Sequence, residues 1–280
     1  MRVAITGASG FVGQHVLHEL QSRDLDIVVT SRSSVTALVA NARTEVVSMN
    51  ITEDLTDPFG AMGAPDVLIH LAWGGLPNYQ SPAHVECELP AQKRFLAKCL
   101  VSGLKRLVVT GTCFEYGKTT GELTEESPTR PCTQYGLAKN MLRQYLEEQR
   151  SLHPFQLMWL RLFYLYGQGQ SKNSLYSLLN DAIRRNDAAF DMSGGEQIRD
   201  FLPIKEVARI IADIALISVD AGIVNVCSGK PMTVRDIVKT WITENNSAIA
   251  MNLGRIPYSE IEPMSLWGSR EKLDSVLGAA

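Results

Sequence analysis

Tyr135 and Lys139 stand four residues apart in Tyr135-Gly136-Leu137-Ala138-Lys139, a spacing that puts both side chains on one face of a helix. A free phenol has a pKa of about 10 and rarely ionises near neutrality. A neighbouring ammonium favours the phenolate and lowers that value. Such a pair can give a proton to a forming alkoxide or take one from an alcohol, the proton transfer that accompanies hydride exchange at a carbonyl. Upstream, Arg106-Leu107-Val108-Val109-Thr110-Gly111-Thr112 reads as a buried strand ending in hydroxyl residues. Ligands of open parallel sheets bind outside the carboxyl ends of the strands, so Thr112 is a candidate to hydrogen-bond and polarise a substrate oxygen.

Hydride chemistry needs a carrier, and the amino-terminal segment has the form of a seat for one. Val3-Ala4-Ile5 runs into Thr6-Gly7-Ala8-Ser9-Gly10-Phe11-Val12-Gly13, which reads as strand, glycine-rich turn and helix start. Gly7 can take a backbone conformation closed to other residues. Gly10 lets the chain approach a pyrophosphate, and Gly13 lets the helix pack close to the strand. Free amides and the positive dipole end at the helix start suit phosphate. The spacing is G-x-x-G-x-x-G rather than G-x-G-x-x-G. A second strand, Asp26 to Thr30, ends in Ser31-Arg32-Ser33-Ser34. An NAD site usually presents Asp or Glu there to the ribose. Arginine with neighbouring hydroxyls attracts a 2′-phosphate instead, so the expected cofactor is NADP, with NAD less favoured.

Strand signals at 2–6, 26–30, 45–48, 66–71, 105–110 and 155–162 alternate with helical ones near 11–22, 35–41, 82–102 and 133–151. The alternation predicts an α/β fold, a doubly wound parallel sheet with helices on both faces. Val67-Leu68-Ile69-His70-Leu71 is a continuous apolar run, as a strand buried on both faces requires. It ends in Ala72-Trp73-Gly74-Gly75, where a cofactor can pass close to backbone. Beyond Gly167 the alternation breaks. Helices are expected near 174–186, 204–217 and 233–244, a loop or hairpin over 191–201 and a strand over 223–226. The expected organisation is a dinucleotide-binding domain over 1–166, to which 201–227 returns, and a smaller substrate lobe from 167–200 and 228–280.

A chain of 280 residues can bury one large core with a smaller lobe. A net charge of −3 gives no general pull toward nucleic acid or membrane, and no apolar run approaches spanning length. The five cysteines are odd in number and lack a C-x-x-C pair, which suits a reducing cytoplasm, the expected location. Met1-Arg2 runs straight into a strand, without the pattern of a signal peptide. No metal site is expected, since His15 and His18 lie without a partner cluster.

Taken in order, the motifs resemble the extended short-chain dehydrogenase/reductase family, in its nucleotide-sugar epimerase/dehydratase group, over nearly the whole chain. TGASGFVG looks like the family's TGxxGxxG, VLIHLA like its fourth-strand motif, TGTCFEYG like its S-S/T-x-x-x-YG segment and YGLAK like YxxxK. RLFYLYGQGQ, IRDFLPIKEVAR and VNVCSGKPMTVRDI resemble three later family segments. The resemblance implies a nucleoside-diphosphate sugar as substrate. It implies cofactor contacts by Gly7, Ser9, Gly10, Phe11, Val12 and Gly13 at the turn, and by Ser31, Arg32 and Ser33 after the second strand. Further cofactor contacts are implied for Asn50, Ile51, Leu71, Ala72, Trp73, Tyr135, Lys139 and Phe163. Substrate contacts are implied for Thr112, Cys113, Phe114, Tyr164 and Arg199, with Arg199 on the nucleotide. A homodimer through the helices near 82–102 and 133–151 is implied as well.

Departures from the family pattern narrow the expectation. Cys113 and Phe114 stand where the 4,6-dehydratases carry acids, against dehydration. The cysteine is one position after Thr112 rather than two, and no histidine follows His153, against combined 3,5-epimerisation. Tyr164 replaces a common asparagine. The expected activity is NADPH-dependent reduction of a nucleoside-diphosphate 4-keto-6-deoxyhexose at C4, with Tyr135 as proton donor. The alternative is an NAD-dependent 4-epimerase using the same residues. A non-catalytic NADP-binding protein is disfavoured because both Tyr135 and Lys139 are present.

Overall fold

The computed structural model describes residues 1–32 and 43–278. The first half runs β1 (Arg2–Thr6), α1 (Phe11–Gln21), β2 (Asp26–Ser31), β3 (Thr44–Ser48), α2 (Pro58–Ala61), β4 (Val67–His70), α3 (Leu89–Val101), β5 (Arg106–Thr112), β6 (Gly121–Leu123) and α4 (Gln134–Gln149). It continues through β7 (Gln156–Leu162), β8 (Tyr164–Tyr166), α5 (Leu175–Arg184), β9 (Ala189–Asp191), β10 (Ile198–Pro203), α6 (Ile204–Leu216) and β11 (Gly222–Val226). The remainder is β12 (Pro231–Thr233), α7 (Val234–Glu244), β13 (Ala250–Asn252), β14 (Leu266–Gly268) and α8 (Glu271–Gly278). The helix expected near 35–41 lies outside the described residues.

Among the described residues, seven strands form a parallel sheet in the order β11-β7-β5-β4-β1-β2-β3. Successive side chains of a strand face opposite ways, so each central strand feeds two cores. Val3, Ile5, Val67, Ile69, Val108, Met158 and Leu160 point into one, shared with α1, α6 and α8. Ala4, Leu68, Leu107, Val109, Leu157 and Trp159 point into the other, shared with α3 and α4. Strands buried on both faces are predominantly apolar, which explains Val67-Leu68-Ile69 in β4, and the buried His70 that ends it is hydrogen-bonded on both ring nitrogens.

Smaller sheets build the rest: β12-β10-β8, β13-β9 and β14-β6. Residues expected as a loop or hairpin over 191–201 instead give β10, parallel to β8 and antiparallel to β12. Its two consecutive charges hid the strand. Asp200 is fully buried and accepts from Ser228 N, Ser228 Oγ and Gly229 N at 2.6, 2.7 and 3.0 Å. A third core around Trp241 joins α5, β9 and α7. The last helix, α8, buries Leu273 and Val276 in the main core rather than in the smaller lobe. No described helix is long and apolar enough to cross a membrane.

Candidate active site

A cleft of about 210 Å³ opens at the carboxyl ends of β1, β2 and β4, where the strand order reverses. Backbone supplies its floor. Gly7 has φ +75°, and a Cβ there would lie 2.6 Å from Ala72 N. A Cβ on Gly13 would lie 2.1 Å from Gly7 O, so only glycine lets α1 start this close to the strand ends. Gly10 is the N-cap of α1 and no side chain caps that helix, which leaves its first amides to an anion. Ser9, Ser31, Arg32, Asn50, Ile51, Leu71, Ala72 and Trp73 line the cleft beside the glycines. Arg32 is exposed. Among the described lining residues the one acid is Glu88, which accepts from Gly74 N at 3.0 Å and Gln92 Nε2 at 3.2 Å. A glycine cradle under an uncapped helix start fits a dinucleotide. Phe11 and Val12 pack from α1 against the main core. Phe163 is buried with Tyr116 and Cys227. Ser33 lies outside the described residues.

Tyr135 and Lys139 come from the first turns of α4, which Thr133 caps by accepting from Gly136 N at 3.0 Å. Tyr135 N donates to Tyr79 O at 3.0 Å. The buried Lys139 Nζ donates to Thr110 O at 2.8 Å. It also lies 4.1 Å from the Trp73 ring centroid and 5.9 Å from that of Tyr135. Burial pushes the ammonium down to about 7, against the attraction of Glu115 and Glu88. Burial drives the Tyr135 phenol up from its usual value, and Tyr79, Glu115 and Cys113 add to it. The expectation from sequence was a phenol made more acidic by Lys139. Desolvation of the phenolate dominates, so Tyr135 is kept in its protonated form. Thr112 closes β5 with Oγ1 accepting from Phe114 N at 3.2 Å, which leaves its own O–H to donate.

Several supporting residues carried no local signal. Glu115 is fully buried and accepts from Thr112 N at 3.0 Å, Trp159 Nε1 at 2.9 Å and Arg161 Nε at 2.8 Å. It pins the strand end that presents Thr112. His70, at the end of β4, lies 2.8 Å from Thr6 Oγ1 through Nδ1 and 2.6 Å from Gln92 Oε1 through Nε2. Burial first, then Lys139, pushes its imidazole down to about 3, so it stays neutral.

Of the residues expected to meet substrate, Arg199 is buried in β10. Its Nε and Nη2 donate to Glu262 Oε2 at 3.3 and 3.1 Å, and Nη1 donates to Ile198 O at 2.8 Å. Tyr164 O–H donates to the same glutamate oxygen at 2.6 Å. Glu262 therefore holds the arginine and the tyrosine together. Cys113 is buried, and burial pushes its thiol up, so it carries no thiolate. Phe114 packs against Tyr79 with centroids 4.9 Å apart.

The profile of the family described as "NAD dependent epimerase/dehydratase family" matches residues 3–227. The dTDP-6-deoxy-L-talose 4-dehydrogenase (NAD(+)) of Aggregatibacter actinomycetemcomitans is 29% identical over 276 residues, covering 96% of this chain and 100% of the relative. The GDP-6-deoxy-D-talose 4-dehydrogenase of the same organism is 23% identical, covering 99% and 92%. Among solved structures, the UDP-glucuronic acid 4-epimerase of Bacillus cereus superposes with a TM-score of 0.86 at 19% identity, over 100% of this chain and 94% of that one. At that identity the likeness speaks for the fold alone.

Proposed function

This chain belongs to the NAD dependent epimerase/dehydratase family of nucleotide-sugar enzymes, and we propose that it interconverts ketone and alcohol at C4 of a nucleoside-diphosphate 6-deoxyhexose, acting as the 4-keto reductase with NADPH. One observation carries the reading: Tyr135, Lys139 and the end of β5 meet beside the glycine cradle, with the phenol kept protonated by burial. A relative named as a 4-dehydrogenase of a 6-deoxytalose catalyses, by that name, the oxidation whose reverse is this reduction.

When bound, the nicotinamide supplies the hydride to C4. Thr112 O–H donates to the carbonyl oxygen and orients it. Tyr135 O–H passes its proton to that oxygen as the C–O double bond becomes an alcohol. The Lys139 ammonium stabilises the phenolate that remains, until solvent restores the proton. Arg199 takes the substrate diphosphate in exchange for part of its hold on Glu262. The reading includes a homodimer through α3 and α4, to be checked by sedimentation.

The preference for NADPH rests on Arg32 at the cleft and on serine, not an acid, at the end of β2. Arg32→Ala should lower kcat/KM for NADPH about tenfold while sparing NADH, the loss of one charge-assisted contact. The test of function is absorbance loss of NADPH, and separately NADH, with dTDP- or GDP-4-keto-6-deoxyhexose. Rapid NADPH oxidation is expected. No oxidation of either, together with conversion of an intact nucleotide sugar to its C4 epimer, would replace the reductase with an NAD-dependent epimerase.

A further inference from the structure

The segment 73–79 meets Tyr135 at both its ends, and one turn of helix holds it. Trp73, Tyr79 and His84 place ring centroids 5.9, 5.7 and 5.4 Å from that of Tyr135. His84 sits fully buried in a π-helical turn, His84–Glu88, that runs into α3. Trp73 Nε1 donates to His84 Nδ1 at 3.1 Å, and His84 Nε2 lies 2.8 Å from Asn78 O. Indole can only donate, so Nδ1 must accept and Nε2 must carry the proton, which fixes a neutral imidazole. Gly75, at φ +81°, passes so close that a Cβ would lie 3.0 Å from His84 Cε1. Glu88, in the same turn, takes Gly74 N. The loop is thus held at Trp73, Gly74 and Asn78 from one short segment.

What this holds is the indole face over Lys139 Nζ, at 4.1 Å. Lys139 forms no ion pair among the described residues. Glu115 and Glu88 act on it only at longer range, His70 is neutral, and Tyr135 shares its helix. Its close polar partner is one carbonyl, Thr110 O. A desolvated ammonium over an aromatic face is stabilised in its charged form.

We propose that Trp73 is a positioning residue for hydride chemistry at this site, its indole face keeping Lys139 as an ammonium, and that neutral His84 locks the indole in that pose. The kinetic part of the test rests on the keto-reductase reading; the spectroscopic part does not. In Trp73→Leu, the fall of kcat with rising pH, measured at saturating NADPH, should begin about 1 pH unit lower than in the unaltered enzyme. His84→Leu should reproduce the shift, and His84→Gln, which can accept from Trp73 and donate to Asn78, should restore it. Without substrate, tryptophan fluorescence of the full chain should titrate with Lys139 near its value of about 7, and this step should vanish in both Trp73→Leu and Lys139→Met. Unchanged pH profiles in Trp73→Leu and His84→Leu, or a fluorescence step that survives Trp73→Leu, would overturn the proposal. Absence of turnover in the unaltered enzyme with the fluorescence step present would reject the reductase reading and leave the Trp73–Lys139 contact standing.

Discussion

Tyr135, the proton donor in the proposed reduction, sits among the rings of Trp73, Tyr79 and His84. Water cannot readily solvate a phenolate there, so charge on the oxygen depends on Lys139. Replacing Tyr135 by Phe removes the proton and little volume. Turnover should fall by about 10²–10⁴, the usual worth of a placed acid, while NADPH affinity by fluorescence titration stays within twofold. Retained turnover would place the donor elsewhere. Lys139 has a folded value near 7, below that of a free lysine. The ammonium is therefore complete at low pH and lost as pH rises through that value. Reduction rate at saturating substrate should be highest below about 7 and decline above it, with Lys139→Met showing a low, flat profile.

At the scale of elements, the contact between α1 and the strand ends decides whether a dinucleotide fits. Gly13→Val would press a side chain into Gly7 O and Ala8 Cα, backbone atoms that cannot yield without moving the helix. NADPH affinity by calorimetric titration should fall more than tenfold, with Tm lower by several degrees, as overpacking of about 1–3 kcal/mol implies. This contact was readable in advance because Thr6 to Gly13 is local. The long central strands were readable too, since burial on both faces favours predominantly apolar runs. The three-residue strands β6, β8, β9, β12, β13 and β14 are too short to carry a period. The β10 strand was hidden because Arg199 and Asp200 look like loop residues until Glu262, Ser228 and Gly229 meet them in space. The same rule divides the site. Tyr135, Lys139 and the glycines announce themselves by spacing, whereas Glu115, His70, His84 and Glu262 gain meaning only from partners distant in the chain.

For the whole molecule, His70 ties stability to pH. It is neutral when folded down to about pH 3 and charges near 6.5 when unfolded. Between these values the unfolded chain binds the extra proton, so stability falls as pH falls, by about 1.4 kcal/mol per pH unit at most. Lys139, partly neutral near pH 7 when folded and charged when unfolded, adds a smaller loss toward acid that is shared by both chains of the comparison. Urea unfolding at pH 7 and pH 5 should show a loss that is smaller, by about 1–2 kcal/mol, in His70→Asn than in the natural chain. An identical loss in both would mean that other groups carry the acid sensitivity.

The position of β11 bears on how the protein is made. Its partner β7 is complete at Leu162, yet Gly222–Val226 is translated only after β8, α5, β9, β10 and α6. At about 5–20 residues per second, the ribosome leaves the outer edge of β7 bare for roughly 3–12 seconds. An unpaired edge of this length recruits other strands. Nascent chains crowded on one message would therefore meet at β7, and slower translation through α5 and α6 would lengthen that exposure.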